Sequence, residues 1–149
     1  MEKFGTYMII PEKPLIVGYY NGIIKIEDII HFNIVIRKEP NYNYFANTIL
    51  DFRYCTLDIK HDELPKIINY IKSSFKKTGD RKVAYLTSKP NEVVVTSMYQ
   101  YILDYSDLNY NPKIFSTVKA IANFFGNKVI SEKELLGIIE ELKTKPNIL

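Results

Sequence analysis

"FANTILDFRYC", Phe45–Cys55, decides how the rest of the chain is read. Thr48, Ile49 and Leu50 form an apolar run that ends abruptly in Asp51, and Arg53 follows two positions later. "YFANTILDFR" reads as a buried strand, on which residues two apart point to the same side. At the carboxyl end of a strand in an open α/β sheet, such a pair stands where these sheets bind ligands. A plainer account also fits, because a buried carboxylate needs a partner. In that account Asp51 accepts neighbouring amides and Arg53 neutralises it, and it is preferred because no second motif converges on the pair.

Outward from this strand, the pattern alternates. "GTYMII" and "LIVGYYNG" are rich in β-formers and are joined by "PEKP", whose two prolines suit a hairpin. "IKIEDIIHFNIVIRKEP" carries Ile26, Ile29, Ile30 and Asn33 or Ile34 at helical spacing, with acids early, basic residues late and Pro40 as a stop. After the central strand, His61 or Asp62 can cap a helix with Pro65 in its first turn and a stripe of Leu64, Ile67, Ile68, Ile71 and Phe75, ended by Gly79. "KVAYLTS" has the short apolar form of a strand buried in a parallel sheet. Ser88 can cap the next helix, with Pro90 in its first turn and Val94, Val95, Met98 and Ile102 facing inward. "NPKIFST" is a further strand, and Ser116 or Thr117 opens the helix "VKAIANFFG". In "SEKELLGIIEEL", Ser131 and Glu134 make a capping box, and Leu135, Ile138, Ile139 and Leu142 make one stripe.

The expected order is β-β-α-β-α-β-α-β-α with a terminal helix. It implies an α/β fold with a mostly parallel five-stranded sheet, right-handed crossovers and one antiparallel pairing from the N-terminal hairpin. Ile49, Leu50, Val83, Ala84, Leu86, Ile114 and Phe115 are expected in its core. One domain, 1–149, accommodates this, with 127–149 as a C-terminal helical extension.

Composition excludes several classes. The single cysteine, Cys55, rules out an internal disulfide, and with only His31 and His61 the chain lacks a thiol- or imidazole-rich metal site. No apolar stretch approaches the roughly 20 residues that span a bilayer, so stable membrane insertion is not expected. The N-terminus lacks a secretory pattern, and a cytoplasmic location is the simplest expectation. A net charge of +3 comes from 17 lysines and three arginines in a chain also rich in Ile, Asn and Tyr. Its densest basic run, "KSSFKKTGDRK", falls where a helix ends and complements the helix dipole. Nucleic-acid binding is therefore not expected.

The hairpin, the helix leading to "EPNYNYFANTILDFR", then "GDRKVAYLTSKPNEVVVTSMY" and "PKIFSTVKAIANFFG" together resemble the SpoIIAA-like proteins. These are distant relatives of the STAS domain of anti-sigma factor antagonists, and the resemblance covers roughly residues 5 to 126. It implies a compact SpoIIAA/STAS-like β-α superhelix, a cytoplasmic location and a regulatory or protein-binding role. In the anti-sigma antagonists the strand's Asp is followed about seven residues later by Asp-Ser, and that serine is the phosphorylated switch. Counting from Asp51 gives Asp58, but Ile59 and Lys60 come next, and Thr56 lies two residues too early. A conventional phosphorylation switch, which adds nearly two negative charges at a helix start, is not expected.

Candidate ligand- or partner-binding residues are thus Asp51, Arg53, Asp58, His61 and Ser88, with no catalytic residue, metal ligand or cofactor assigned. His61 beside Asp58 and Asp62 reads first as surface capping, and Cys55 as a half-buried bystander just past the strand without a paired histidine. Gly18, Gly22 and Gly79 form no phosphate-binding pattern. Tyr42, Tyr44 and Tyr54 read as packing or hairpin-edge aromatics. The expected function is a non-catalytic interaction module, binding another protein or a second copy of itself. The alternative is a small-ligand-binding protein or enzyme built on Asp51, Arg53 and His61.

Overall fold

The computed structural model describes residues 2–74, 81–104 and 111–149. Phe75 and Gly79, and the side chains of Met98 and Ile102, lie outside the described residues. Among the described residues five strands, β1 (Phe4–Ile10), β2 (Leu15–Ile24), β3 (Asn47–Leu57), β4 (Lys82–Leu86) and β5 (Asn111–Phe115), form one sheet in sequence order. β1 and β2 are antiparallel across the Pro11–Pro14 loop, and the other three pairings are parallel.

Helices cover both faces. α1 (Ile26–Arg37), α2 (Leu64–Ser74) and α3 (Pro90–Asp104) connect the parallel strands. Phe32, Ile36 and Val95 from α1 and α3 pack with Ile16, Tyr20, Leu50, Phe52 and Tyr85 on one face. α4 (Val118–Phe125) and α5 (Glu132–Leu142) close the other face, where Ile121, Leu135, Ile139 and Leu142 pack on Leu15, Val17, Ile49 and Leu86. Strand residues on the two faces alternate, as the two-residue period of a strand requires. α5 is thus a full partner of the sheet, contributing three buried side chains.

Local chemistry explains most boundaries. Thr117 caps α4 by accepting the amide of Ala120 at 3.1 Å. Ser131 and Glu134 exchange side-chain and backbone hydrogen bonds at the start of α5, the predicted capping box. Gly126 ends α4 with φ 90°, a conformation open to glycine at little cost.

Some expectations are corrected. α1 turns Phe32 and Ile36 to the sheet, while Ile29 and Ile30 only partly bury against Ile67, Ile68 and Ile71 of α2; Ile34 is exposed. The helix is shared between two neighbours, so no single stripe describes it. α2 is preceded by a 3₁₀ turn, His61–Glu63, whose flanking residue is Lys60: its amide donates to Glu63 at 3.0 Å, so neither His61 nor Asp62 is the cap. Ser88 is likewise one residue too early, because the first helical bond of α3 runs from the Val93 amide to the Lys89 carbonyl at 3.1 Å. Val95 faces the core, but Val94 is 55% exposed. Ile49, Leu50, Val83, Ala84 and Leu86 are buried as predicted. Ile114 and Phe115 are only partly buried, because β5 is an edge strand.

Candidate functional site

β3 does not end at Arg53. It continues to Leu57, and past Asp51 it pairs, among the described residues, only with β2, since the β4 ladder stops where Asp51 lies opposite Leu86. Within this overhang the register slips: Tyr19 faces Asp51, but Asn21 faces Tyr54, so β3 advances three residues while β2 advances two. Such a bulge leaves one residue outside the ladder.

Asp51 closes that defect. Its Oδ1 accepts the backbone amide of Arg53 at 3.0 Å, and the same oxygen accepts Arg53 Nε at 3.0 Å. Oδ2 accepts Arg53 Nη2 at 2.8 Å. The Asp51 side chain is 0% exposed and that of Arg53 20%. The hydrogen bonds to Asp51 hold the guanidinium pKa above its ordinary value, against burial, which lowers it. Charge-assisted, bidentate contacts of this kind are among the strongest a protein makes.

Beyond the bulge, Tyr54 turns outward at 41% exposure. Its ring lies 5.1 Å from the Arg53 guanidinium carbon, 4.7 Å from Lys143 Nζ of the segment after α5, and 5.8 Å from the Tyr19 ring. Cys55 is corrected from a bystander past the strand to a fully buried strand residue, its Sγ donating to the Phe52 carbonyl at 3.4 Å. Burial, reinforced by the charge of Glu92, pushes its thiol pKa far up, opposite to the lowered pKa of a reactive thiolate.

The other predicted site residues do not join this pair. Asp58, His61 and Ser88 are exposed, and no hydrogen bond or ion pair among the described residues links them to Asp51 or Arg53. Among the described residues no three His, Cys, Asp or Glu side chains are grouped to hold a metal ion. No helix among them is long and apolar enough to cross a membrane.

Sequence reasoning missed Glu92 and Lys89. Glu92, in the first turn of α3, is 1% exposed, with Oε1 3.7 Å from Lys89 Nζ. The amides of Ser88 and Lys89 approach its carboxylate, but neither oxygen closes a hydrogen bond among the described residues. Burial therefore raises its pKa, with Lys89 pulling the other way. Lys89 Nζ also donates to the Cys55 carbonyl at 3.2 Å, tying the start of α3 to the bulged strand. The only hint in the sequence was a Glu two residues after Pro90, where a cap partner is expected.

An apolar cavity of about 50 Å³ lies beneath α1, α2 and α3, lined by Leu50, Phe52, Ile67, Tyr85, Val95 and neighbouring side chains. Ligand sites typically run to about 300–1,000 Å³, so this cavity is a packing void rather than a pocket for a drug-sized molecule. Comparison of the chain with protein-family models, with curated proteins and with solved structures gave no match.

Proposed function

We propose that the chain is a non-catalytic, cytoplasmic interaction module of the SpoIIAA/STAS-like kind, which binds a protein partner without a phosphorylatable serine. The observation that carries this reading is the commitment of Asp51 to Arg53, which leaves an aromatic–cation surface at the bulge. Both carboxylate oxygens serve the fold, so the pair has no free acid or base to offer a substrate. Tyr54, held between Arg53 and Lys143, is what faces outward. Tyrosine and arginine are the residues enriched where interfaces concentrate their binding energy.

Affinity capture from native lysate with wild type and Tyr54→Ala, followed by native mass spectrometry, tests this. The expected result is a stoichiometric protein partner that Tyr54→Ala loses while its melting temperature stays near wild type. A small molecule carried by wild type with no protein partner, and unaffected by Tyr54→Ala, would favour the ligand-binding alternative instead.

A further inference from the structure

The two edges of the sheet are treated differently. β5 has five residues and places Pro112 and Lys113 within them, two standard ways of blunting an edge against strand addition. β1, at the other edge, reads FGTYMII, seven residues with neither a charge nor a proline. An extended piece of this chain already lies along its first part. The Gly5 amide donates to Asn147 Oδ1 and the Gly5 carbonyl accepts the Ile148 amide, both at 2.9 Å, so the Gly5 backbone points away from β2. Antiparallel ladders alternate, which turns the backbone groups of Tyr7 and Ile9 outward as well. Among the described residues nothing pairs with them. Between the strap at Gly5 and the Pro11–Pro14 loop, a groove of about 360 Å³ runs along Thr6–Ile9, with Glu39 and Lys145 in its walls. That volume falls in the ~300–1,000 Å³ range of ligand sites. Glu39 accepts the Tyr7 hydroxyl, but neither Glu39 nor Lys145 has an ion-pair partner among the described residues.

We infer that this groove takes a short extended peptide segment, which adds to β1 as an antiparallel strand and carries an acidic residue followed directly by a basic one. The backbone calls for an extended chain. The amide and carbonyl groups of Tyr7 and Ile9 present donors and acceptors at strand spacing, as in peptide recognition by strand addition. The wall charges set the sequence. Glu39 follows α1, which covers the face to which Tyr7 points, where its ring meets Phe32 and its hydroxyl meets Glu39. Lys145 follows α5, which covers the opposite face, where Met8 packs. Side chains directly opposite each other on paired strands share a face. A ligand residue opposite Tyr7 therefore lies on the Glu39 side and is basic. Its neighbour opposite Met8 lies on the Lys145 side and is acidic, and in an antiparallel ligand it comes first. The strap at Gly5 keeps the segment short, with room opposite Ile9, Met8 and Tyr7. This groove is separate from the surface around Tyr54, and the inference does not rest on that surface.

Titration of the isotope-labelled full chain with millimolar acetyl-Thr-Val-Glu-Lys-amide, followed by amide NMR shifts and hydrogen exchange, tests the inference. Its charge-exchanged form, acetyl-Thr-Val-Lys-Glu-amide, is the comparison. The expected result is that the first peptide shifts the Tyr7 and Ile9 amides saturably and slows their exchange. The second should bind about tenfold more weakly, because both opposite-charge pairs become like-charge ones. A double variant, Glu39→Lys with Lys145→Glu, should reverse the preference. If that variant fails to fold, the comparison of the two peptides on wild type still decides. Unperturbed Tyr7 and Ile9 amides, or equal binding of the two peptides, would overturn the inference. So would protection of these amides that grows with protein concentration alone, which would seat a second copy of the chain in the groove.

Discussion

Asp51 accepts three hydrogen bonds from Arg53, one from its backbone amide and two from its guanidinium, and by doing so closes the bulge in β3. The amide is the donor that the register slip leaves out of the ladder, and a buried unpaired amide costs about 1–3 kcal/mol. The guanidinium neutralises the carboxylate that satisfies it. Arg53 then lies under Tyr54, whose ring also meets Lys143. One local irregularity thus fixes both the charge pair and the aromatic surface beside it.

Glu92 should make stability depend on pH. Burial raises its pKa in the folded chain, so the folded state holds this proton more tightly than the unfolded state. The contribution of such a group is fully present below the unfolded carboxylate pKa, about 4.3, and is lost as pH rises through the folded value. The facing groups, Lys89 and Cys55, do not reverse this direction. Thermal melts of Glu92→Gln should show it melting above wild type at pH 7, with the gap closing towards pH 4. A gap that does not vary with pH would mean that Glu92 is ionised and satisfied in the folded chain.

Cys55 should be silent to thiol reagents in the folded protein. It is fully buried and its thiol pKa is raised, so both access and thiolate are lacking. Labelling at pH 8 should follow unfolding, reaching one thiol per chain only in denaturant. Rapid labelling under native conditions would return Cys55 to the list of candidate nucleophiles.

The void beneath the helices should accept one more methylene. Val95 lines it and is buried, and Val95→Ile keeps the branch at Cβ. Filling should stabilise by up to about 0.8 kcal/mol, read as a raised urea midpoint at unchanged slope. A lowered midpoint would show that Val95 is already tightly packed.

Much of the fold was legible because periodicity and punctuation agreed. The runs at Ile49, Val83 and their neighbours, the Pro11–Pro14 loop and the Ser131–Glu134 box each point to one local answer. The site was less legible. Asp51 and Arg53 could be paired from their spacing, but the bulge that makes Asp51 necessary arises from register against β2, which no local pattern encodes. Tyr54 meets Lys143 only because α5 folds back onto the sheet. Glu92 reads in sequence as a solvated first-turn acid, and only the packing of α3 against β3 buries it. His61, Asp58 and Ser88 lay near the pair in the chain or at a plausible cap, and neither property brings them to it.

The central claim, that Asp51 and Arg53 are a structural pair closing the bulge, is tested most directly by the melting of Arg53→Ala beside a double variant with both residues apolar. Arg53→Ala leaves a buried carboxylate without its partner, which costs about 3–5 kcal/mol. At roughly 2–8 °C per kcal/mol, its melting temperature should fall by many degrees, and the double variant should recover much of that loss. Arg53→Ala melting at or above wild type, with loss of whatever wild type binds, would contradict the account and make the pair a binding site held under strain.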